Sequence, residues 1–144
     1  MPMEDAAPTV YLVDDDPDLQ KALQRLLQSA GLQVAAFGSA HDFLHDHDRL
    51  APGCLVLDLA MPGLNGLQLQ RELAMRASPL PIVFLTGRGD IAASVQAMKH
   101  GAADFLTKPV DDADLLAAIQ QALATDRQRR GVQVERDRLA ECLA

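Results

Sequence analysis

Short apolar runs alternate with helix-like segments five times along this chain, and no other feature restricts its fold as strongly. The runs have the length of strands and are rich in aliphatic residues; they comprise Thr9–Val13, Leu32–Phe37, Cys54–Leu57, Pro81–Leu85 and Ala103–Leu106. Between the runs, apolar residues recur at the three- and four-residue spacing of helices. Strands that alternate with helices form a parallel sheet covered on both faces. We therefore predict an α/β fold with a doubly wound, five-stranded parallel sheet and five helices.

Residues that favour caps and turns indicate where the helices begin and end. Asp16 before Pro17 matches the residues preferred at the N-cap and first position of a helix, and Gly31 is suited to end that helix. Similar signals predict further helices from Ser39 to about His47, from Gly66 to Met75, from Asp90 to Gly101, and from Asp111 or Asp112 onward.

Size, charge and cysteine content exclude several classes of protein. With 144 residues, 49% of them hydrophobic, the chain suits one globular domain. Its formal net charge of −7 should repel phosphates, so we expect no direct nucleic-acid binding. No apolar run approaches the roughly 20 residues that cross a bilayer, and the N-terminus lacks a signal-peptide pattern. The two cysteines, Cys54 and Cys142, suggest no disulfide framework, so we expect a cytoplasmic location.

Polar residues stand where four of the apolar runs end. Asp14 and Asp15 follow the first run, Asp58 follows the third, Thr86 follows the fourth, and Lys108 comes shortly after the fifth. The carboxyl ends of parallel strands share one edge of the sheet, where ligands bind near the point of reversed strand order. In the flavodoxin-like order 2-1-3-4-5 this point lies between the first and third strands. We therefore expect the three carboxylates to meet there.

This set of side chains suits phosphoryl transfer. Clustered carboxylates repel one another unless a cation is present, and a hard ion such as Mg²⁺ accepts such oxygen ligands. A carboxylate can attack phosphorus as a nucleophile and become an aspartyl-phosphate. Lys108 could balance the charge of the phosphoryl oxygens, and the Thr86 hydroxyl could donate a hydrogen bond to one of them.

Six short motifs contain or adjoin these residues, in this order: Val13-Asp14-Asp15, Leu57-Asp58-Leu59, Met61-Pro62-Gly63, Asn65-Gly66, Leu85-Thr86-Gly87 and Lys108-Pro109. In their order and spacing they resemble the receiver domain of bacterial two-component response regulators, and the resemblance spans roughly residues 8–125. The stretches Thr86–Asp90, Ala97–Lys99 and Gly101–Phe105 resemble the NarL/FixJ type, in which a receiver precedes a LuxR-like helix-turn-helix domain.

The resemblance implies a role for each site residue. Asp58 would accept the phosphoryl group. Asp15, Asp14, Asp58 and the carbonyl of Ala60 would bind Mg²⁺, with Asp14 acting partly through water. Thr86 would move towards the phosphoryl group and Phe105 would turn inward, while Lys108 would pair with the group and precede a cis bond to Pro109. The implied partners are a sensor histidine kinase and a second copy of the chain. Dimerisation would use the fourth helix, fifth strand and fifth helix.

The helical pattern weakens after Thr125. We expect residues 126–144 either to extend the fifth helix or to form a linker helix with a break near Gly131, leading towards an output domain outside this chain. The arginines at positions 127, 129 and 130 are expected to be solvated rather than to contact DNA.

Other readings remain open at this point. An aspartate-dependent phosphatase usually needs a second Asp two residues after the nucleophile, where this chain has Ala60. A flavin carrier of flavodoxin type would need a phosphate-binding loop and stacking aromatics, but the first loop is acidic and there is no Trp. A stand-alone receiver that acts by protein contact is a third possibility. His41, His45 and the neighbouring His and Asp residues 42–48 are better explained as a solvated helix face than as a metal site.

Overall fold

All five predicted strands and all five predicted helices are present. The computed structural model describes residues 7–46, 51–61, 63–87 and 91–143, with side chains as far as residue 131. The strands are β1 (Thr9–Val13), β2 (Gln33–Phe37), β3 (Gly53–Asp58), β4 (Ile82–Thr86) and β5 (Asp104–Thr107). The helices are α1 (Pro17–Ser29), α2 (Ala40–Asp46), α3 (Gly66–Met75), α4 (Ile91–Lys99) and α5 (Asp112–Leu143).

The strands form one parallel sheet in the order β2-β1-β3-β4-β5, which confirms the predicted fold class. β3 is the central strand, and all six of its residues are buried, as expected for a strand covered on both faces. Its last residues lie level with the ends of both neighbours, since Leu57 pairs with Val13 and Asp58 pairs with Leu85. This register brings the ends of β1, β3 and β4 to the same edge.

Alternate strand residues belong to two separate hydrophobic clusters, one on each face of the sheet. The first contains Leu55, Leu57 and Phe84 from the sheet and is covered by α2, α3 and α4, which contribute Phe43, Leu69, Leu73 and Ala97. The second contains Val56, Val83 and Leu85 and is covered by α1 and α5, which contribute Leu23, Leu27, Leu115 and Ile119. Helices therefore cover both faces of the sheet, and the carboxyl edge remains for the polar residues that follow the strands.

The helix ends follow the predicted signals where the structure describes them. Asp16 caps α1 by accepting the N–H groups of Asp18 and Leu19, and Gly31 has the positive φ that ends that helix. Asn65 forms a reciprocal capping box with Gln68 at the start of α3, a feature that the sequence analysis missed. The predicted cap of α4, Asp90, lies outside the described residues.

α5 is one continuous helix of 32 residues that runs through Gly131 to Leu143. This continuity favours the predicted extension of the fifth helix over the alternative of a linker helix with a break near Gly131. The prediction of solvated arginines is correct for Arg127 and Arg129, which are exposed, but wrong for Arg130. Arg130 is partly buried because it pairs with Asp126. No helix in the described part of the chain has both the length and the apolar character needed to cross a membrane.

Candidate functional site

Three carboxylates meet at the carboxyl edge of β1 and β3. Oxygens of Asp14, Asp15 and Asp58 all lie within 4.8 Å of one another. Asp14 and Asp58 are only 1% and 5% exposed, whereas Asp15 is exposed to solvent. The meeting of Asp14 and Asp58 follows from the strand register, because Val13 lies beside Leu57 and an aspartate follows each of them. This confirms that the strand-end carboxylates meet.

Lys108 supplies the positive charge at this edge. Its Nζ lies 3.2 Å from Oδ2 of Asp14 and 3.4 Å from Oδ2 of Asp58, so one ammonium group bridges the two buried carboxylates. The backbone N–H of Lys108 donates to the carbonyl of Thr86 at 2.7 Å, which ties this loop to the end of β4. The Lys108–Pro109 peptide bond is cis. Three carboxylates still face a single ammonium group, so the site has an excess of negative charge.

Electrostatics shift the protonation equilibria of the two central groups. Burial raises the pKa of Asp58, and the charge of Asp14 raises it further; Lys108 and the N–H of Ala60, 3.2 Å from Oδ1, oppose this rise only in part. Burial acts to lower the pKa of Lys108, but the charges of Asp14 and Asp58 outweigh it and raise that pKa. Lys108 is therefore charged at neutral pH, and ionisation of Asp58 destabilises the folded state.

The donor set fits a hard divalent cation. Carboxylate oxygens are the preferred ligands of Mg²⁺, which keeps several waters, and the exposed Asp15 leaves room for them. A divalent ion would also offset the excess negative charge. The carbonyl of Ala60 is a further candidate ligand, since the backbone of this exposed residue adjoins Asp58. Among the described residues, these three aspartates are the only group of His, Cys, Asp and Glu side chains close enough together to hold a metal.

Among the described residues, the His and Asp side chains of α2 do not come together as a group of three or more possible metal ligands. His41, Asp42, His45 and Asp46 are exposed on α2 and belong to no such group. His47 and Asp48 lie outside the described residues. The interpretation of the described part as a solvated helix face agrees with this exposure.

Thr86 and Phe105 occupy different environments. Thr86 ends β4 and is only 2% exposed, one position beyond the residue that pairs with Asp58. Phe105 lies in β5 and pairs with Phe84, yet it is 39% exposed. Thr86 therefore shares the edge of the carboxylates, and Phe105 lies on the adjoining strand with much of its ring in solvent.

Gln20 is a site residue that the sequence analysis missed. Its Nε2 donates to the carbonyl of Asp14 at 2.6 Å and to the carbonyl of Phe37 at 2.5 Å, which joins the end of β1 to the end of β2. The N–H of Asp16 donates to Oδ1 of Asp14 at 2.9 Å, so the backbone and side chain of Asp14 are both held. The only signal in the sequence is the position of Gln20 one turn after the cap, which does not reveal its partners.

Comparison with known proteins gives one consistent family. A family model described as the response regulator receiver domain matches residues 10–120. The chain is 47% identical over 128 residues to the response regulator protein TmoT of Ectopseudomonas mendocina, which covers 89% of this chain and 58% of TmoT. The solved structure of response regulator StyR matches with a TM-score of 0.90 at 44% identity, covering 94% of this chain and 69% of StyR. The solved structure of FixJ-N matches with a TM-score of 0.77 at 38% identity, covering 81% of this chain and 94% of FixJ-N. The chain thus spans little more than half the length of TmoT.

Proposed function

Because the chain belongs to the response-regulator receiver family, we propose that Asp58 accepts a phosphoryl group from the phosphohistidine of a sensor histidine kinase. The chain is accordingly a phosphorylation-activated signal transducer of a two-component system. The observation that carries the assignment of Asp58 is its position: it is buried at the end of β3, shares Lys108 with Asp14, and lies beside an exposed third carboxylate.

The reaction is a displacement at phosphorus. An oxygen of ionised Asp58 forms the new P–O bond as the P–N bond to the kinase histidine breaks, and the electron pair of that bond leaves with the imidazole. The N–H of Ala60 fixes Oδ1 of Asp58, while Lys108 holds Oδ2. Mg²⁺ bound by Asp14, Asp15 and Asp58 would supply positive charge to neutralise the incoming phosphoryl oxygens.

The phosphoryl group then changes what Lys108 and Thr86 contact. Lys108 now lies between two carboxylates, and it would pair with the phosphoryl oxygens instead. The hydroxyl of Thr86 would move to donate to one of them, leaving space into which the part-exposed ring of Phe105 turns. These contacts exist in only one state, so phosphorylation shifts the population towards that state.

The surface that reports this change would be formed by α4, β5 and α5. It carries large apolar side chains that are unusually open to solvent: Ile91 at 77%, Val95 at 46%, Met98 at 40% and Phe105 at 39%. An exposed apolar patch of this kind suits association with another protein surface. We propose that phosphorylation strengthens a homodimer through this face.

The domain organisation is part of the same proposal. Residues 8–125 would form the receiver, and residues 126–144 would be a linker helix leading to a DNA-binding output domain. The continuous course of α5 to Leu143 supports a helical linker, and the greater length of TmoT supports a further domain. A cytoplasmic location suits the buried, unpaired thiol of Cys54.

The first test is intact mass after incubation with acetyl phosphate and Mg²⁺. The wild-type chain should gain one phosphoryl group, and it should gain none after EDTA or with Asp58→Asn. Asp46→Asn, which changes an exposed carboxylate of α2, is the control and should be labelled like the wild type. Labelling of Asp58→Asn at the wild-type level would refute the assignment. Repeated turnover of acetyl phosphate without a labelled chain would favour a phosphatase instead.

A further inference from the structure

An ion pair between the buried Asp126 and the partly buried Arg130 connects α5 to the edge of the sheet opposite the three site carboxylates. Oδ2 of Asp126 accepts the N–H of Gly53 at 3.0 Å and Nε of Arg130 at 2.8 Å. Arg130 also donates through Nη2 to the carbonyl of Ala51 at 2.5 Å. The pair therefore joins the helix to the first residue of β3 and to the loop before it, more than 70 positions earlier in the chain.

The burial of Asp126 sets this pair apart from an ordinary helical surface contact. Asp126 is 2% exposed, although it lies in a strongly polar stretch in which Arg127 and Arg129 are exposed. A pair of this kind adds little net stability over apolar residues of the same size, but removing one partner leaves an uncompensated buried charge. The pair therefore matters more for the orientation of α5 on the sheet than for the free energy of unfolding.

Glycine at position 53 is needed for this contact. Gly53 has a φ of +150°, and a Cβ at this position would lie 1.9 Å from the carbonyl oxygen of Thr9. A side chain here would push β3 away from β1 or force the backbone to rotate, and either change would move the N–H that Asp126 accepts. The start of β3 thus offers a fixed backbone donor.

We propose that Asp126 and Arg130 form a clamp, which holds the first turn of the linker helix (residues 126–144) against the receiver domain (residues 8–125). The two residues are one helical turn apart and bind adjacent backbone groups, so together they restrict both the rotation and the tilt of α5 at this point. The following residues, 131–143, extend about 20 Å at the helical rise of 1.5 Å per residue. A small change of angle at the clamp would be carried along that length. The inference rests on the proposed linker role of residues 126–144 and not on phosphorylation of Asp58.

Hydrogen exchange on the full chain tests the clamp. Arg130→Met keeps much of the aliphatic stem and removes the donors, and Arg129→Met, at the neighbouring exposed position, is the matched control. Arg130→Met should speed amide exchange in residues 127–143 by about tenfold or more, because the helix end can then open locally. Arg129→Met should leave it unchanged. Exchange in β4 and labelling of Asp58 by acetyl phosphate should stay at wild-type levels in both variants.

Two outcomes would overturn the clamp. Equal exchange of residues 127–143 in Arg130→Met and Arg129→Met would show that the pair does not hold the helix. Faster exchange in β4 to the same degree as in α5 would show that the pair supports the whole domain rather than the linker. Failure of the wild-type chain to be labelled at Asp58, together with the expected faster exchange in Arg130→Met, would count against the proposed function and leave the clamp intact, so the two failures are distinguishable.

Discussion

Asp58→Asn should make the protein more stable in the absence of divalent cations. The substitution keeps the shape of the side chain and an oxygen that can accept the N–H of Ala60, but it removes one of three carboxylate charges. Since burial and the charge of Asp14 raise the pKa of Asp58, the folded state holds the ionised form at a cost that the unfolded chain avoids.

The size of the gain depends on the neighbouring charges and on burial. At an effective dielectric constant of 20, two like charges 4.8 Å apart, the upper limit for the oxygens of Asp14 and Asp58, repel by about 3.5 kcal/mol. Attraction to Lys108 at 3.4 Å offsets this repulsion, at about 5 kcal/mol on the same scale. Release of the carboxylate from burial, the largest cause of the raised pKa of Asp58, therefore decides the sign of the change. We expect the free energy of unfolding to rise by about 2 kcal/mol.

Urea unfolding at pH 7 in EDTA measures this difference. Asp15→Asn, which changes the exposed member of the cluster, should give a smaller gain. The advantage of Asp58→Asn should fade as the pH is lowered towards 3.8, the ordinary pKa of an aspartate, because wild-type Asp58 becomes neutral too. Saturating Mg²⁺ should reverse the order, since 100 times the dissociation constant stabilises the wild type by about 2.7 kcal/mol. A variant that is equally or less stable than the wild type in EDTA would refute this electrostatic account.

Three further predictions concern single residues. Gln20→Met removes the donor that joins the carbonyls of Asp14 and Phe37. It should weaken Mg²⁺ binding several-fold, as measured by calorimetry. An unchanged affinity would show that the N–H of Asp16 is enough to hold Asp14. Ala60→Met should slow loss of the phosphoryl group from Asp58 by screening this exposed site from water, as followed by intact mass over time, and an unchanged lifetime would contradict it. Burial raises the pKa of Cys54 to about 12, so in a Cys142→Ser background this thiol should resist alkylation at pH 8 and react only as fast as the protein unfolds in urea. Rapid reaction of that variant under native conditions would refute this.

The role of Arg130 in the clamp is the clearest feature that could not be predicted from the sequence. Arg127, Arg129 and Arg130 look alike in a polar stretch, and helical periodicity does not say which one faces the sheet. The answer depends on how α5 packs across β3, since only that packing brings the N–H of Gly53 and the carbonyl of Ala51 within reach. Gln20 was missed for the same reason, because its partners lie on two different strands.

The sequence by itself determined the element order, the sheet and the edge at which Asp14, Asp15 and Asp58 would meet. These features depend on local periodicity and on the rule that parallel strands end at one edge, and both can be read along the chain. The tertiary structure alone decided that Lys108 bridges two carboxylates, that Phe105 is open to solvent, and that Arg130 is held against β3. Such facts depend on distances between residues far apart in sequence. Those distances are set by how the helices pack on the sheet, and local sequence patterns carry no record of them.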